Sequence, residues 1–463
     1  MNRLPQACRQ ALLKQSGTSA SKLYRKWSLV SLANIGRTQS LALPDTCAST
    51  VDIRKKAADT LLREVQNRLA QQYNICGSIK HAIEGEVQSP HSDATKHSHN
   101  KQTGTIIVRA VNTPLAEMRM KSSAAFSAIR KLILDLEDMH ADTYRLIWEL
   151  YARNSEEPAI LRNFHSANEA LISSVFDQIR SRHAHSVEAL ADIVVSHRSS
   201  IQSTDSKKNT VEEICTKFLK GRIGVQLLCD HYVRLHKQST KVISDEVGTY
   251  NIGAVNINCD IWDIIRDSVA EALAICETNL QVVPDVLVGN TASKEGLHAV
   301  DNIMLADPRP VNITLIKAWA HHCMVEIFKN AMQAVVERNP QKPPSIIVTV
   351  SSTEKHVTVR VRDHGVGLES EDVEKAFQFA LTGSSSEKWD RLNEQQSYAA
   401  VTTPIRGLGV GLPLSRLMME TFGGFLELES AEDASGGCIA TLVFSRDFTV
   451  EESHMTNDGQ HIT

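Results

Sequence analysis

His322-Cys-Met-Val-Glu326-Ile-Phe-Lys329-Asn330-Ala-Met-Gln333 is the stretch on which the reading of this chain turns. Steps of four put His322, Glu326 and Asn330 on one face of a helix. Ile327, Phe328 and Met332 back that stripe with apolar surface. Asn330 offers a neutral carbonyl oxygen to a hard cation such as Mg²⁺. Glu326, one turn away, can accept a proton from a hydroxyl. Taken alone, such a stripe is more often a solvated helix face.

Two glycine motifs follow it. Asp363-His-Gly365-Val-Gly367-Leu comes directly after an alternating run. A carboxylate at a strand end followed by glycines suits hydrogen bonding to a flat ligand with backbone close behind it, although by itself an ordinary glycine turn explains it as well. Arg406-Gly407-Leu-Gly409-Val-Gly411-Leu-Pro-Leu-Ser415-Arg416 has glycines at alternate positions ahead of a helix. That pattern presents successive N–H groups and the positive helix end to phosphate. It is not the dinucleotide spacing, which needs one more residue and a βαβ unit around it.

Around these motifs the pattern is mixed. Thr314 to Arg338 reads as a long helix stopped by Asn339-Pro340. Residues 345–350 and 357–361 alternate about a short polar turn and predict a hairpin, and 425–429 with 438–444 predict a second one around Gly436-Gly437. Leu412 to Phe422 reads as a helix ending at Gly423-Gly424. Before residue 240 the apolar periodicity is helical almost throughout. It places helices from Val51 to about Gly77, Ala125 to Leu150, Ile160 to Ile179 and Val211 to His236. The expected fold class is therefore α+β, with an N-terminal helical bundle followed by a two-layer α/β sandwich bearing a mixed sheet. The polar link Ser239 to Gly253 is the expected boundary. The polar, His-rich run Ser89 to Gly104 cannot bury a face, so 86–104 is expected to be a disordered insertion; metal binding by His91, His97 and His99 is the remote alternative.

Composition limits the function classes. The chain has 463 residues, enough for two or three domains, with a formal charge of −4 from 50 basic and 54 acidic residues. No overall basic excess points to nucleic acid, and no apolar run reaches the ~18 residues of a membrane span. Nine scattered cysteines form no CxxC pair, which argues for a reducing compartment and against a disulfide framework. The first 44 residues differ from the rest. They hold seven basic residues and no acid, with frequent serines and short apolar groups between. This is the composition of a mitochondrial transit peptide, and a solvated basic arm is the alternative.

The three motifs in this order carry more than each alone. The E-x-x-x-N helix, the strand ending in DxGxG and the GxGxG before a helix resemble the ATP-binding domain shared by gyrase, the Hsp90 chaperone, histidine kinases and MutL. Within that group, Glu326-Ile-Phe-Lys-Asn-Ala-Met and Gly407 to Arg416 resemble the mitochondrial pyruvate dehydrogenase kinase and branched-chain 2-oxoacid dehydrogenase kinase family. Ile179-Arg-Ser-Arg-His183 and Phe218 to Leu228 resemble that family's helical domain, and Asn251 to Cys259 its interdomain stretch.

The resemblance implies a mitochondrial matrix protein serine/threonine kinase that uses Mg²⁺ and ATP. It implies a 2-oxoacid dehydrogenase complex as partner, through a serine of its E1 component and the lipoyl domain of E2, and a homodimer. Residues 1–44 would be the transit peptide, 51–240 a regulatory and substrate-docking bundle, 250–448 the kinase domain and 449–463 a polar tail. Asn330 would hold the metal and Asp363 the adenine amino group, with Gly365 and Gly367 letting the base approach. Thr382 and Gly383 would line the nucleotide, and Gly407, Leu408, Gly409, Val410, Gly411 and Leu412 would wrap the phosphates. Lys329 and Gln333 would also touch ATP, Gln333 standing where the family usually has arginine. Glu326 would be the general base, tuned by His322. The alternatives are a protein histidine kinase of the same superfamily, for which His183 and His185 of the helical domain lack the carboxylate and proline that usually follow an acceptor histidine, and an ATP-dependent scaffold without catalysis.

Overall fold

The computed structural model describes residues 4–16, 27–40, 48–87, 113–152, 166–200, 205–239, 250–290, 298–300, 303–306, 310–381, 409–431 and 436–452. Apart from residues 86 and 87, the expected insertion over 86–104 lies outside them, as do Thr382, Gly383, Gly407 and Leu408.

The N-terminal region is helical: α1 (Gln6–Ser16), α2 (Leu29–Ser40), α3 (Ala48–Val87), α4 (Thr113–Ala152), α5 (Ser166–Arg182), α6 (Ser186–Ser200) and α7 (Asp205–Ser239). Helix α3 packs against α4 and α7, α5 against α7, and α4 against α6. Asn74 and Gly77 do not end α3, which continues to Val87, about three turns past Gly77, and buries Ile79 and Ile83 there. Tertiary burial of that face outweighs the helix penalty of a single glycine.

The described residues of the basic N-terminal segment pack against the helical region. Leu4, Cys8 and Leu12 pack with Ala70, Ala141 and Tyr144, while Trp27, Leu29 and Leu32 join the cluster that contains Leu61, Leu62, Val65 and Phe176. These apolar side chains are buried, whereas Arg9 and Lys14 of the same segment are exposed. Residues up to Glu452 reach the same region; 453–463 of the expected polar tail lie outside the described residues. Glu452 N–H donates to Trp27 O at 2.8 Å, and Val30 N–H to Phe448 O at 3.2 Å. Arg68, on α3, gives both terminal nitrogens to the Glu452 carboxylate at 2.9 Å and its Nε to Glu64 at 3.0 Å. All three side chains are buried. Gly224 of α7 faces this group, and a Cβ there would lie 1.8 Å from Arg68 Nη1, so the glycine makes room for the guanidinium.

The C-terminal region begins with the hairpin β1 (Tyr250–Ile252) and β2 (Val255–Asp260), which β6 (Asn312–Leu315) joins antiparallel. Helix α8 (Ile261–Leu280) is capped by Asp260, whose carboxylate accepts from Trp262 N–H at 3.2 Å and Val311 N–H at 3.0 Å. The main sheet adds β3 (Val286–Asn290), β4 (His298–Val300), β5 (Ile303–Ala306), β7 (Ile346–Ser352), β8 (His356–Arg362), β9 (Phe425–Ser430) and β10 (Cys438–Ser445). Their spatial order is β4-β5-β3-β7-β8-β10-β9, with β3 parallel to β5 and β7 and the remaining pairs antiparallel. Helix α9 (Lys317–Arg338) starts later than expected because Asn312 to Leu315 form the strand β6.

Alternation on β7 and β8 puts Ile346, Val348, Val350, Val357, Val359 and Val361 on one face. Helices α8 and α9 cover that face with Ile264, Ile265, Val269, Met324, Phe328 and Met332. A two-layer α+β domain with a mixed sheet results. No described helix is long and apolar enough to cross a membrane.

Arg68→Met should strand two buried carboxylates and lower stability by ~3–5 kcal/mol, seen as a drop of several degrees in Tm. Truncation of residues 1–35 should open the Trp27 and Leu12 clusters and yield aggregated protein by size-exclusion chromatography. A separable leader would instead leave a monodisperse product with unchanged Tm.

Candidate functional site

The stripe on α9 has a graded burial. His322 is largely buried, Glu326 is half-buried, and Asn330 is exposed. Burial lowers the His322 pKa, partly opposed by the Glu326 carboxylate, so the ring is neutral near pH 7. Its Nε2 has no hydrogen-bond partner among the described residues. Glu326 accepts from Lys329 Nζ at 2.8 Å, and Lys329 is itself buried. The Asn330 amide makes no side-chain hydrogen bond among the described residues. Gln333 is turned onto the next turn of its own helix, donating to Glu337 at 3.2 Å.

The third glycine motif meets this stripe directly. Helix α11 (Gly411–Thr421) begins where a Cβ on residue 411 would lie 2.2 Å from Glu326 Oε2. Only glycine lets the carboxylate sit against the helix N-terminus, whose partial positive charge favours an anion there. Pro413 falls in the first turn, where its missing N–H costs no helical bond. Gly409 has φ +70° and abuts the Leu381 backbone, while Ala380 N–H donates to Gly409 O at 2.9 Å. Val410 and Leu412 are half-buried beside them.

Asp363 ends β8 in a buried position. Its Oδ1 accepts from Gly365 N–H at 2.9 Å and Cys438 N–H at 3.2 Å. Oδ2 carries no donor among the described residues. Desolvation raises the pKa of this carboxyl, and those two amides oppose the rise. Gly365 has a different reason from the expected one. A Cβ there would strike Ala334 of α9 at 2.5 Å, so the missing side chain serves the contact between loop and helix. Gly367 keeps the left-handed φ of +76°.

Several participants escaped the sequence reading. Gly437, read only as a turn residue, has φ +94° and would place a Cβ 2.2 Å from Asp363 O. Arg338 holds the same loop through His364 O at 2.8 Å and Gly365 O at 3.3 Å. Arg416 lies 3.8 Å above the Phe377 ring and pairs with Glu374, fixing the 370–377 turn to α11. The Gly436-Gly437 doublet was a usable signal. The arginine contacts join residues distant in sequence and leave no local pattern.

His183 belongs elsewhere. It is buried in the helical region, with Nε2 3.1 Å from Thr143 Oγ1 and its ring edge-on to His140. Burial, reinforced by His140, drives its pKa well down. It lines a small cavity with Arg180, Arg222 and Gln226 and is not presented as a phosphate acceptor. No cluster of metal-ligating His, Cys, Asp or Glu side chains occurs among the described residues. For Mg²⁺ the donor available is the exposed Asn330 carbonyl, which suits an ion that keeps waters and takes its other ligands from substrate phosphates.

Two family models match the chain. One, described as histidine kinase-, DNA gyrase B- and HSP90-like ATPase, covers residues 317–447. The other, described as mitochondrial branched-chain alpha-ketoacid dehydrogenase kinase, covers residues 27–256 and begins at Trp27, within the segment expected to be a leader. The chain is similar to mitochondrial pyruvate dehydrogenase (acetyl-transferring) kinase isozyme 3 of Mus musculus, with 23% identity over 310 residues, 66% of this chain and 67% of that one. It is similar to isozyme 1 of Homo sapiens at 23% over 325 residues, 68% and 69% of the two chains. It is also similar to the enzyme of Schizosaccharomyces pombe at 26% over 262 residues, 56% and 55% of the two chains.

Asp363→Ala should weaken Mg²⁺-ATP binding by ~1–3 kcal/mol in calorimetry, the cost of a lost buried acceptor. Because burial raises the Asp363 pKa, protonation removes that acceptor as pH falls, at a pH above the usual aspartate range. ATP affinity should therefore weaken on acidification sooner than an ordinary aspartate predicts, and this part of the pH dependence should vanish in Asp363→Asn.

Proposed function

Because the chain belongs to the pyruvate and branched-chain 2-oxoacid dehydrogenase kinase family, we propose that it is a mitochondrial protein serine/threonine kinase acting on the E1 component of a 2-oxoacid dehydrogenase complex in the matrix. The observation that carries this reading is the seating of Glu326 against Gly411. It brings a carboxylate, an exposed asparagine amide and a glycine-opened helix end to one place, as phosphoryl transfer to a hydroxyl requires.

In this proposal the adenine amino group donates to Asp363 Oδ2, the oxygen that the Gly365 and Cys438 amides leave open. The N-terminal amides of α11 and the preceding glycines receive the phosphates. Asn330 holds Mg²⁺, which when bound neutralises phosphate charge. Glu326 accepts the proton of the substrate serine hydroxyl as that oxygen attacks. The neutral His322 ring beside Glu326 orients it, and the Lys329 ammonium, already paired with Glu326, lies within reach of a phosphate oxygen. Residues 51–240 serve as the docking and regulatory region and 250–448 as the kinase domain. A second copy of the chain and an E2 lipoyl domain are the partners expected from the family.

The test is single-turnover transfer at saturating ATP, with purified pyruvate and branched-chain complexes as parallel substrates. Glu326→Gln should keep ATP affinity and lose transfer by ~10²–10⁴-fold. His322→Ala should fall in the same direction, less steeply. Asn330→Ala should weaken both Mg²⁺-ATP binding and turnover. A wild-type rate in Glu326→Gln would refute the base assignment. A chain that binds ATP but phosphorylates neither complex would favour the scaffold reading.

A further inference from the structure

The glycine loop at the head of α11 is not held by its own domain alone. Phe379 N–H donates to Glu212 Oε1 at 2.6 Å, and Glu212 lies on α7 in the helical region. Phe379 and Ala380 are buried in one cluster with Val187, Leu190, Val211 and Phe218 of that region and Leu414 and Leu417 of α11. The turn they form is an unusual one. Ala380 adopts φ 55°, a left-handed conformation that an alanine holds only when its neighbours impose it. The next links are short. Ala380 N–H donates to Gly409 O at 2.9 Å, and the Leu381 backbone fills the space a Cβ on Gly409 would need. Two residues further on, Gly411 abuts Glu326.

We infer that Glu212 is a positioning residue for the nucleotide site: its carboxylate, reaching from the helical region, fixes the Phe379–Ala380 turn and through it the Gly409–Gly411 backbone. The inference rests on the nucleotide-binding reading of that loop. A carboxylate acceptor on a backbone amide is a charge-assisted bond, and both reach and an acceptor oxygen are needed. The side chain of Gln keeps both. The side chain of Asp keeps the charge and falls one carbon short. Ala keeps neither.

The experiment uses the full chain with Glu212→Ala, Glu212→Asp and Glu212→Gln. Amide hydrogen exchange is followed at Phe379, and Mg²⁺-ADP and Mg²⁺-ATP affinities are measured by calorimetry with KM and kcat alongside. Glu212→Ala and Glu212→Asp should speed exchange at Phe379 and weaken nucleotide binding roughly tenfold to a hundredfold. The change should fall on KM for ATP more than on kcat, and Glu212→Gln should stay near wild type in both readouts. If Ala does not fold, the Asp and Gln pair gives the same comparison. Unchanged exchange at Phe379 in the short variants overturns the inference, as does fast exchange with wild-type nucleotide affinity. Wild-type protein that binds no nucleotide would instead refute the function proposed above, while exchange at Phe379 still tests the contact.

Discussion

The contact between the Glu326 carboxylate and the start of α11 is the constraint around which the C-terminal domain is organised. A carboxylate this close to another backbone is tolerated only because residue 411 has no side chain and because the helix end opposite carries partial positive charge. The same two helices also meet at Cys323, whose Sγ lies 3.6 Å from Ser415 O. With α9 fixed, Gly365 must also lack a side chain, since the loop after β8 crosses Ala334 on the same helix. Asp363 is thereby placed at the strand end with one oxygen tied to backbone amides. At Gly365 and Gly437 the backbone comes nearer to a neighbour than any Cβ would permit, and at Gly411 the close neighbour is the Glu326 carboxylate.

The helical region contributes more than a scaffold. Its inner faces also pack against the C-terminal domain: Leu414 and Leu417 of α11 share a cluster with α6 and α7, and Trp319 and Phe422, stacked on each other, pack against the cluster that holds Val225 and Leu228 of α7. The two regions behave as layers of one packed body, in which the residues before the nucleotide loop rest on helices far earlier in the chain.

What the sequence made legible was local. The hairpin pairs β7–β8 and β9–β10 were readable because an exposed second face enforces strict alternation, and α9 because its apolar backing has helical period. The glycine pattern was readable because close backbone approach restricts residue type. The small sheet of β1, β2 and β6 was not, because strands of three to six residues hold too few alternations to separate from a polar link. The packing of Leu4, Leu12, Trp27 and Leu32 was not legible for a different reason. Basic residues dominate the composition there, whereas the packing depends on the few apolar side chains between them. Gly437, Arg338 and Glu212 act across long sequence separations, which no local pattern encodes.

The buried group around Arg68 also bears on how this chain is made. Its partner Glu452 lies 384 residues later. Closing so large a loop carries an entropic cost that nearby contacts do not offset until most of the molecule has folded. During synthesis, Arg68 and the Trp27 pocket emerge long before the segment that completes them, and they remain unsealed until the last strand has left the ribosome. The C-terminal segment is thus the last piece to close over the first helices, turning a loose polypeptide into a locked one.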